Sequence, residues 1–467
     1  MFKVTIGNEI YLANSGEVLS SVLLRNGLEI EHLCGGKGTC GKCKVKVNGK
    51  DELSCRYVIR SDIEVELYET TDIVSETGAK ESGNITENLC FALDIGTTTL
   101  ALALVSLDEK KAVKVVTASN PQRTFGADIM TRIDYCQKNS VTELHSVIIA
   151  EINKLIAQFS PCKADTMYVS GNATMLHLFF GIDCSSIGVA PYTPVFLESK
   201  TESASDLGIN GIEKVISLPS VSSFVGADIV AGLNYIDMPS ENKYNLLIDL
   251  GTNAEIVLYS SSKGVSTAAA AGPCFEGANI SCGMSATPGA IYAFEIDEDG
   301  ISSYKTIGNA KAAGICGTGL IDIVSELVSN EIIDETGYMD DDEYPLSEGV
   351  SLSGGDIRQY QLAKSAVFSA ILTLMKTENV SFDDISNMYI SGGFSAKICI
   401  PNAVKSGLLP AELAEKTVAL NNSSLLGTIK YACDGGDLSR FTDTIEYVDL
   451  SANPYFTDLF VENMMFD

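Results

Sequence analysis

The chain has 467 residues and a formal net charge of −29 at pH 7. That length exceeds one ordinary core and predicts two or three domains. The acidity, interrupted by no basic stripe, excludes a nucleic-acid surface. No apolar run reads as a membrane span: "CFALDIGTTTLALALVSL" carries Asp94 and is punctuated by turn residues. The opening "MFKVTIGNEIYLANSGE" lacks the long apolar core of a signal peptide, so a cytoplasmic protein is expected. Of 13 cysteines, only a tight cluster reads as ligands in a reducing compartment; the rest read as buried thiols.

Residues 1 to 70 alternate strand signals with turns, at "FKVTI", "EIYLA", "KCKVKVNGK" and "DIEVELYE". Between the early strands, "EVLSSVLLRNGL" carries helical apolar spacing at Val18, Val22 and Leu23. Residues 71 to 88, "TDIVSETGAKESGNITEN", lose periodicity and gather Ser, Thr, Gly and Glu, which predicts a mobile linker. From residue 89 strands alternate with amphipathic helices, the pattern of α/β layers.

Cys34, Cys40, Cys43 and Cys55 follow a C-x5-C-x2-C-x11-C spacing. The bacterial four-iron run is absent, and only His32 is at hand where a Rieske centre needs two histidines. A four-cysteine zinc site is the alternative. Gly35, Gly36, Gly38 and Gly41 favour iron and sulfur, because a glycine-rich loop can close its N–H groups around anionic sulfur. Residues 1 to 70 resemble a [2Fe–2S] ferredoxin domain, nearest in loop length to the adrenodoxin-like branch. The resemblance implies an α+β, β-grasp fold and a one-electron carrier ligated by these four cysteines.

The remainder contains an internal repeat. "FALDIGTTTLALALV" aligns with "LLIDLGTNAEIVLYS", placing Asp94 on Asp249 and Gly96 on Gly251. Each copy reads as a strand ending in Asp, a Gly-Thr turn and a second strand, hence a hairpin. Free N–H groups in such turns grip phosphate oxygens, while the carboxylates hold Mg²⁺ through water. In "MYISGGFSAKI", Gly392 and Gly393 would admit an adenosine close to backbone.

Together these three stretches resemble the actin, sugar-kinase and heat-shock-chaperone superfamily (ASKHA). The resemblance implies an α/β fold with duplicated RNase H-like halves, at about 89–243 and 244–425, then a C-terminal segment 426–467. The phosphate-1 motif matches Asp94, Gly96, Thr97 and Thr98; phosphate-2 matches Asp249, Gly251, Thr252 and Asn253; the adenosine motif matches Ser391 to Phe394. "SFVGADIVAGL" and "SSLLGTIKYA" match the two connecting helices. Asp228, on the first connector, is the candidate for orienting the attacking water, with a helix-capping role as its alternative and Asp128, in a second "GADI", as its rival. Gly317 and Gly319 are further candidates for the phosphate or ribose pocket, and Lys364 for reaching the nucleotide. His177 reads as packed, and Cys274 and Cys282 as core thiols.

An N-terminal [2Fe–2S] domain joined to this unit resembles the reductive activators of corrinoid proteins. "GNATM", "APYTP", "AGPCFEGANISCGM", "GICGTGLIDIV" and "NPYFTDLFVENMMF" carry the likeness. It implies ATP-dependent return of cob(II)alamin on a corrinoid protein to cob(I), with [2Fe–2S], ATP and Mg²⁺ as cofactors and a low-potential electron donor. A homodimer is compatible with it. Some members hold an extra middle domain after the ferredoxin, for which 71–88 leaves no room. Two alternatives stay open: a small-molecule kinase with a redox-sensing ferredoxin, and a non-hydrolysing module that uses ATP as a clamp.

Overall fold

In a computed structural model, residues 1–7, 9–26, 28, 43–67, 88–126, 128–160, 162–393 and 395–466 are described. Cys34, Cys40, Phe394 and nearly all of the 71–88 linker lie outside them.

The N-terminal unit comprises β1 (Phe2–Ile6), β2 (Glu9–Ala13), α1 (Leu19–Arg25), β3 (Lys44–Val47), β4 (Lys50–Leu53) and β5 (Ile63–Leu67). They form one sheet of order β2-β1-β5-β3-β4, with β1 parallel to β5. Leu19, Val22 and Leu23 of α1 pack on Val4, Val45, Ile59 and Val65. The sequence reads one strand across "KCKVKVNGK"; the structure breaks it in two. Asn48 and Gly49 both adopt positive φ, 51° and 78°, and fold β3 back on β4. Asn-Gly is the dipeptide that a two-residue hairpin turn favours.

The first half of the larger unit contains β6 (Leu89–Ile95), β7 (Thr99–Ser106), β8 (Lys111–Ser119), α2 (Ile129–Lys138), α3 (Val141–Ala157), β9 (Thr166–Gly171), α4 (Ala173–Phe179), β10 (Thr201–Ser203), β11 (Lys214–Ser217) and α5 (Ala227–Tyr235). The second half begins with β12 (Tyr244–Leu250), β13 (Ala254–Tyr259) and β14 (Gly264–Ala269). It continues through β15 (Ala290–Ile296), β16 (Ser302–Thr306), β17 (Gly314–Ile315), α6 (Gly317–Ser329), β18 (Glu343–Ser347), β19 (Val350–Ser353) and α7 (Gly354–Glu378). β20 (Ile385–Ser391), α8 (Ile400–Lys405), β21 (Thr417–Ala419), α9 (Ser423–Asp434), α10 (Ser439–Thr442), β22 (Ile445–Tyr447) and α11 (Phe456–Glu462) complete it.

The two large sheets repeat one topology. β8-β7-β6 is an antiparallel meander, with β9 and then β11 added parallel to β6; β14-β13-β12 is its twin, with β20 and β21 added parallel to β12. The duplicated RNase H-like architecture is therefore present. β6 is buried along its whole length, as a strand covered on both faces must be.

The two connectors, α5 and α9, each follow the last parallel strand of their sheet and cross at close range. A Cβ on Gly427 would lie 1.8 Å from the Ala231 carbonyl oxygen, and one on Gly232 would lie 2.9 Å from Ser423 Oγ. Only glycine permits that approach. Gly427→Ala should therefore force the connectors apart. We expect a loss of roughly 2 kcal/mol or more, read as a fall in melting temperature, with the N-terminal unit's own melting unchanged.

Candidate functional site

The C-x11-C interval of the cysteine cluster is a hairpin in the fold. Cys43 immediately precedes β3, Cys55 follows β4, and the Asn48–Gly49 turn lies midway between them. Pairing of the strands, together with a bond from the Ser54 amide to the Cys43 carbonyl (2.9 Å), brings the two sulfurs to 3.2 Å. Both side chains are buried. Ser54 Oγ, also buried, has no hydrogen-bond partner among the described residues. Two converging thiols with a spare hydroxyl beside them fit a sulfur-bridged cluster, which takes thiolate ligands and accepts hydrogen bonds at sulfur. Cys34 and Cys40 lie outside the described residues.

The repeated hairpins form as expected, with one difference. Ile95 pairs with Leu100, but Leu250 pairs with Ala254, so the first turn is one residue longer. Beyond the turns the gapless alignment slips by one. It sets Glu255 against Leu100, a core residue, whereas the ladder sets Glu255 directly opposite Asp249, where the first sheet has Ala101 opposite Asp94. A cross-strand pair shares a face. Glu255 thus joins the acids of the cleft, a position that an unshifted repeat hides.

In the first turn, each carbonyl is tied back into the protein. Gly96 O accepts from Asn120 Nδ2 (2.8 Å), Thr97 O from Arg132 Nη2 (2.5 Å), and Thr98 O from the Asn120 amide (2.8 Å). The Thr97 hydroxyl accepts from Asn172 Nδ2 (3.2 Å). Among the described residues nothing accepts from the amides of Thr97, Thr98, Thr252 or Asn253. Unclaimed donors in two facing Gly-Thr turns fit phosphate oxygens. In the second turn, Thr252 Oγ1 donates to Glu276 Oε1 (3.0 Å), a second acid absent from the sequence-based set.

The acids lie on elements from both halves. Asp94 is buried and accepts from Asn422 Nδ2 and Ser424 Oγ, each at 2.7 Å, at the start of α9. Asp249 is bonded by Ser391, its neighbour across β12 and β20. Asp228 sits in the first turn of α5, half-buried, its carboxylate accepting from the Ile229 amide (2.9 Å). Burial, then the charges of Asp249 and Asp94, push Asp228 up to about 8. Burial raises Asp249 to about 6, with Asp94 adding to the rise and Ser391 opposing it. Burial, Asp228 and Asp249 lift Glu255 well above the usual carboxylate range. Like charges crowded out of water invite a cation. No three His, Cys, Asp or Glu side chains among the described residues are arranged to grip a metal. Mg²⁺ held here through retained water, by Asp94, Asp249 and Glu255, fits that donor set.

The rival of Asp228 has a structural task. Asp128 caps α2, accepting from the Thr131 amide at 2.8 Å in a capping box. Gly392 has φ 119°, and a Cβ there would lie 2.2 Å from Leu250 O, while Gly393 faces open space. Gly171 is its counterpart beside Ile95, with φ 156°. At Gly317 and Gly319 a Cβ would meet Phe275 O at 2.2 Å or Ile291 O at 2.1 Å, so both glycines allow close approach of backbone at the start of α6. Lys364 is corrected. It is buried on α7, its ammonium donates to Met465 O and lies 4.7 Å from the Phe466 ring centroid, so it anchors the C-terminal segment. His177 is packed, with Nε2 accepting from the Val195 amide and Nδ1 facing Ala173 O. Cys274 is a core thiol, whereas Cys282 is half-buried.

The acid crowding has a stability signature. A carboxyl raised from its ordinary 3.8 to about 8 binds its proton more tightly folded than unfolded. Its contribution is full below the unfolded value and is lost as pH rises through the folded one. In metal-free, nucleotide-free protein, Asp228→Asn should therefore raise the melting temperature by about 3 °C or more at pH 8, with a smaller gain at pH 5. A gain equal at both pH values would contradict the assignment.

Comparison with known proteins agrees with this layout. Residues 4–66 match the model described as 2Fe-2S iron-sulfur cluster binding domain, 89–241 the RACo middle region, and 243–467 the C-terminal domain of RACo, the ASKHA domain. The middle-region match falls on the first of the two repeated halves. The corrinoid activation enzyme RamQ of Eubacterium limosum is 26% identical over 575 aligned positions, covering 96% of each chain. An alignment longer than these 467 residues leaves parts of that relative without a counterpart here. The [Co(II) methylated amine-specific corrinoid protein] reductase of Methanosarcina barkeri is 26% identical over 399 positions, 76% of this chain and 71% of that one. A solved structure of a reductive activator for corrinoid,iron-sulfur protein superimposes with a TM-score of 0.72 at 26% identity, covering 100% of this chain and 98% of that one. With its iron–sulfur region, middle region and ASKHA domain in this order, the chain belongs to the RACo family of corrinoid-protein reductive activators.

Proposed function

We propose that the protein reductively activates a corrinoid protein, passing one electron from a [2Fe–2S] cluster to cob(II)alamin and coupling the transfer to ATP hydrolysis. The observation that carries this reading is the cleft itself. Two facing turns with unclaimed amides, flanked by desolvated carboxylates, occur in one chain with a buried pair of cluster-type thiols. The family's named activities point to the same acceptor.

The cluster, when bound, supplies a one-electron store, ligated by Cys34, Cys40, Cys43 and Cys55. In the cleft, Thr97, Thr98, Thr252 and Asn253 hold phosphates by their amides, and Gly392 and Gly393 leave room for adenosine. Asp249 and Asp94 place Mg²⁺, with Glu255 beside Asp249. Asp228, whose carboxyl is raised to about 8, would be the group that orients the attacking water, and a cation held by Asp94 and Asp249 would favour its ionised form. Phosphoryl chemistry depends on such positioned charge.

Two outcomes test the reading. Anaerobically prepared protein should contain two irons and two acid-labile sulfides per chain, and serine at Cys136 or Cys162 should leave its visible spectrum unchanged. Stoichiometric zinc without sulfide would contradict it. Asp249→Asn should keep that spectrum and accept an electron, yet lose partner-stimulated ATP hydrolysis by about 10²–10³-fold. Multiple-turnover appearance of the cob(I) band, with reductant, Mg-ATP and a corrinoid protein present, should fall with it. A variant as fast as wild type over many turnovers would show that hydrolysis is not the coupled step.

A further inference from the structure

Arg132 is wholly buried in α2, yet among the described residues no carboxylate lies within ion-pair distance of it. A buried charge is costly, so its retention needs a reason. Its partners are the Gly126 carbonyl (Nε, 2.9 Å), Gln122 Oε1 (Nη1, 3.5 Å), Met175 Sδ (Nη1, 3.1 Å) and the Thr97 carbonyl (Nη2, 2.5 Å). The last belongs to the first phosphate turn. Gly126 is what brings its own carbonyl within reach, since a Cβ there would lie 2.3 Å from Thr131 Oγ1.

A trans peptide is planar, and its C=O and N–H point in opposite directions. The carbonyl of Thr97 shares a peptide with the amide of Thr98. Whatever holds the one oxygen inward turns the other hydrogen outward. Asn120 does this for the preceding peptide, holding Gly96 O and so aiming the Thr97 amide. In the twin turn no described side chain donates to the carbonyls of Gly251 or Thr252. The first turn is thus held by side chains in a way the second is not.

Building on the reading of this cleft as a nucleotide site, we propose that Arg132 is a positioning residue, which aims the Thr98 amide at a nucleotide phosphate by fixing the Thr97 carbonyl. The role needs a fork. One arm must reach Gly126 and another Thr97, and lysine offers a single point of donation.

The test measures binding of Mg-ATP and of adenosine by calorimetry, with hydrogen exchange across residues 96–99 in nucleotide-free protein. Arg132→Met should weaken ATP about tenfold, the effect of one well-aimed hydrogen bond to a charged group, and leave adenosine within about twofold. Exchange at the turn should quicken. Arg132→Lys should weaken ATP about fivefold despite its retained charge. A general loss of packing would lower ATP and adenosine together, which overturns the proposal. So would a folded Arg132→Met that binds ATP as wild type does. If Arg132→Met does not fold, Arg132→Lys decides alone, and wild-type ATP affinity in it overturns the role. Wild-type protein that binds no Mg-ATP, while exchange still quickens in Arg132→Lys, would overturn the nucleotide reading and leave Arg132 as the turn's fastening only, so the proposal as stated falls.

Discussion

The cleft depends on a carboxylate that belongs to one half and is held by the other. Asp94, at the end of the first sheet's central strand, accepts two hydrogen bonds at 2.7 Å from Asn422 and Ser424. These open α9, a helix that follows the second sheet. Asn422 also caps that helix through the Leu425 amide, so one side chain both ends the helix and grips the acid. Ser170 and Ser391, twin residues beside Asp94 and Asp249, bond in turn to Ser424 and Ser423. The polar contacts of both sheets therefore converge on the first turn of α9, where the helix dipole favours negative charge.

That arrangement is stable only because it is mostly compensated. Asp94 has its hydrogen bonds; Asp228 and Glu255 have little besides backbone groups and each other's repulsion. An empty cleft accordingly keeps protons on acids that would normally be ionised. On the proposed reading a cation entering the cleft would displace those protons, which would link occupancy to protonation. Each half contributes acids to the cluster, and the connectors cross with no space between backbones at Gly427 and Ala231. The bonds from the start of α9 to Asp94 and the close approach of the connectors thus tie the acids of the cleft to contacts between the halves.

The N-terminal unit solves a smaller problem by similar means. An Asn-Gly turn folds two short strands together, and the fold rather than the sequence distance brings Cys43 to Cys55. The Ser54 hydroxyl, buried beside the two thiols and without a partner among the described residues, is a donor whose hydrogen bond the sulfur of a cluster would accept.

Much of this was determined by the sequence alone. Composition and patterning separate the two units, the paired Asp-x-Gly-Thr hairpins and the strand ending in Ser-Gly-Gly lie where local pattern places them, and the two connecting helices lie where the family resemblance places them. These are local signals, set by period, turn chemistry and glycine. Tertiary structure decided what local pattern cannot carry. A single extra residue in one turn shifts the register of its strand, so Glu255 faces Asp249 although the repeat hides it. The two "GADI" segments look alike, yet only the packing of α5 beside both sheets puts Asp228 among the acids, while Asp128 caps a helix. Lys364 has the residue type of a ligand pocket but anchors the C-terminal segment, and at Gly317 and Gly319 the missing Cβ lets backbone approach closely. Arg132 reads as one polar residue on an amphipathic helix, and becomes informative only when Thr97, 35 positions earlier, is seen to accept its hydrogen bond. Chemistry by residue type is written locally; which groups meet depends on register and on which backbones can touch.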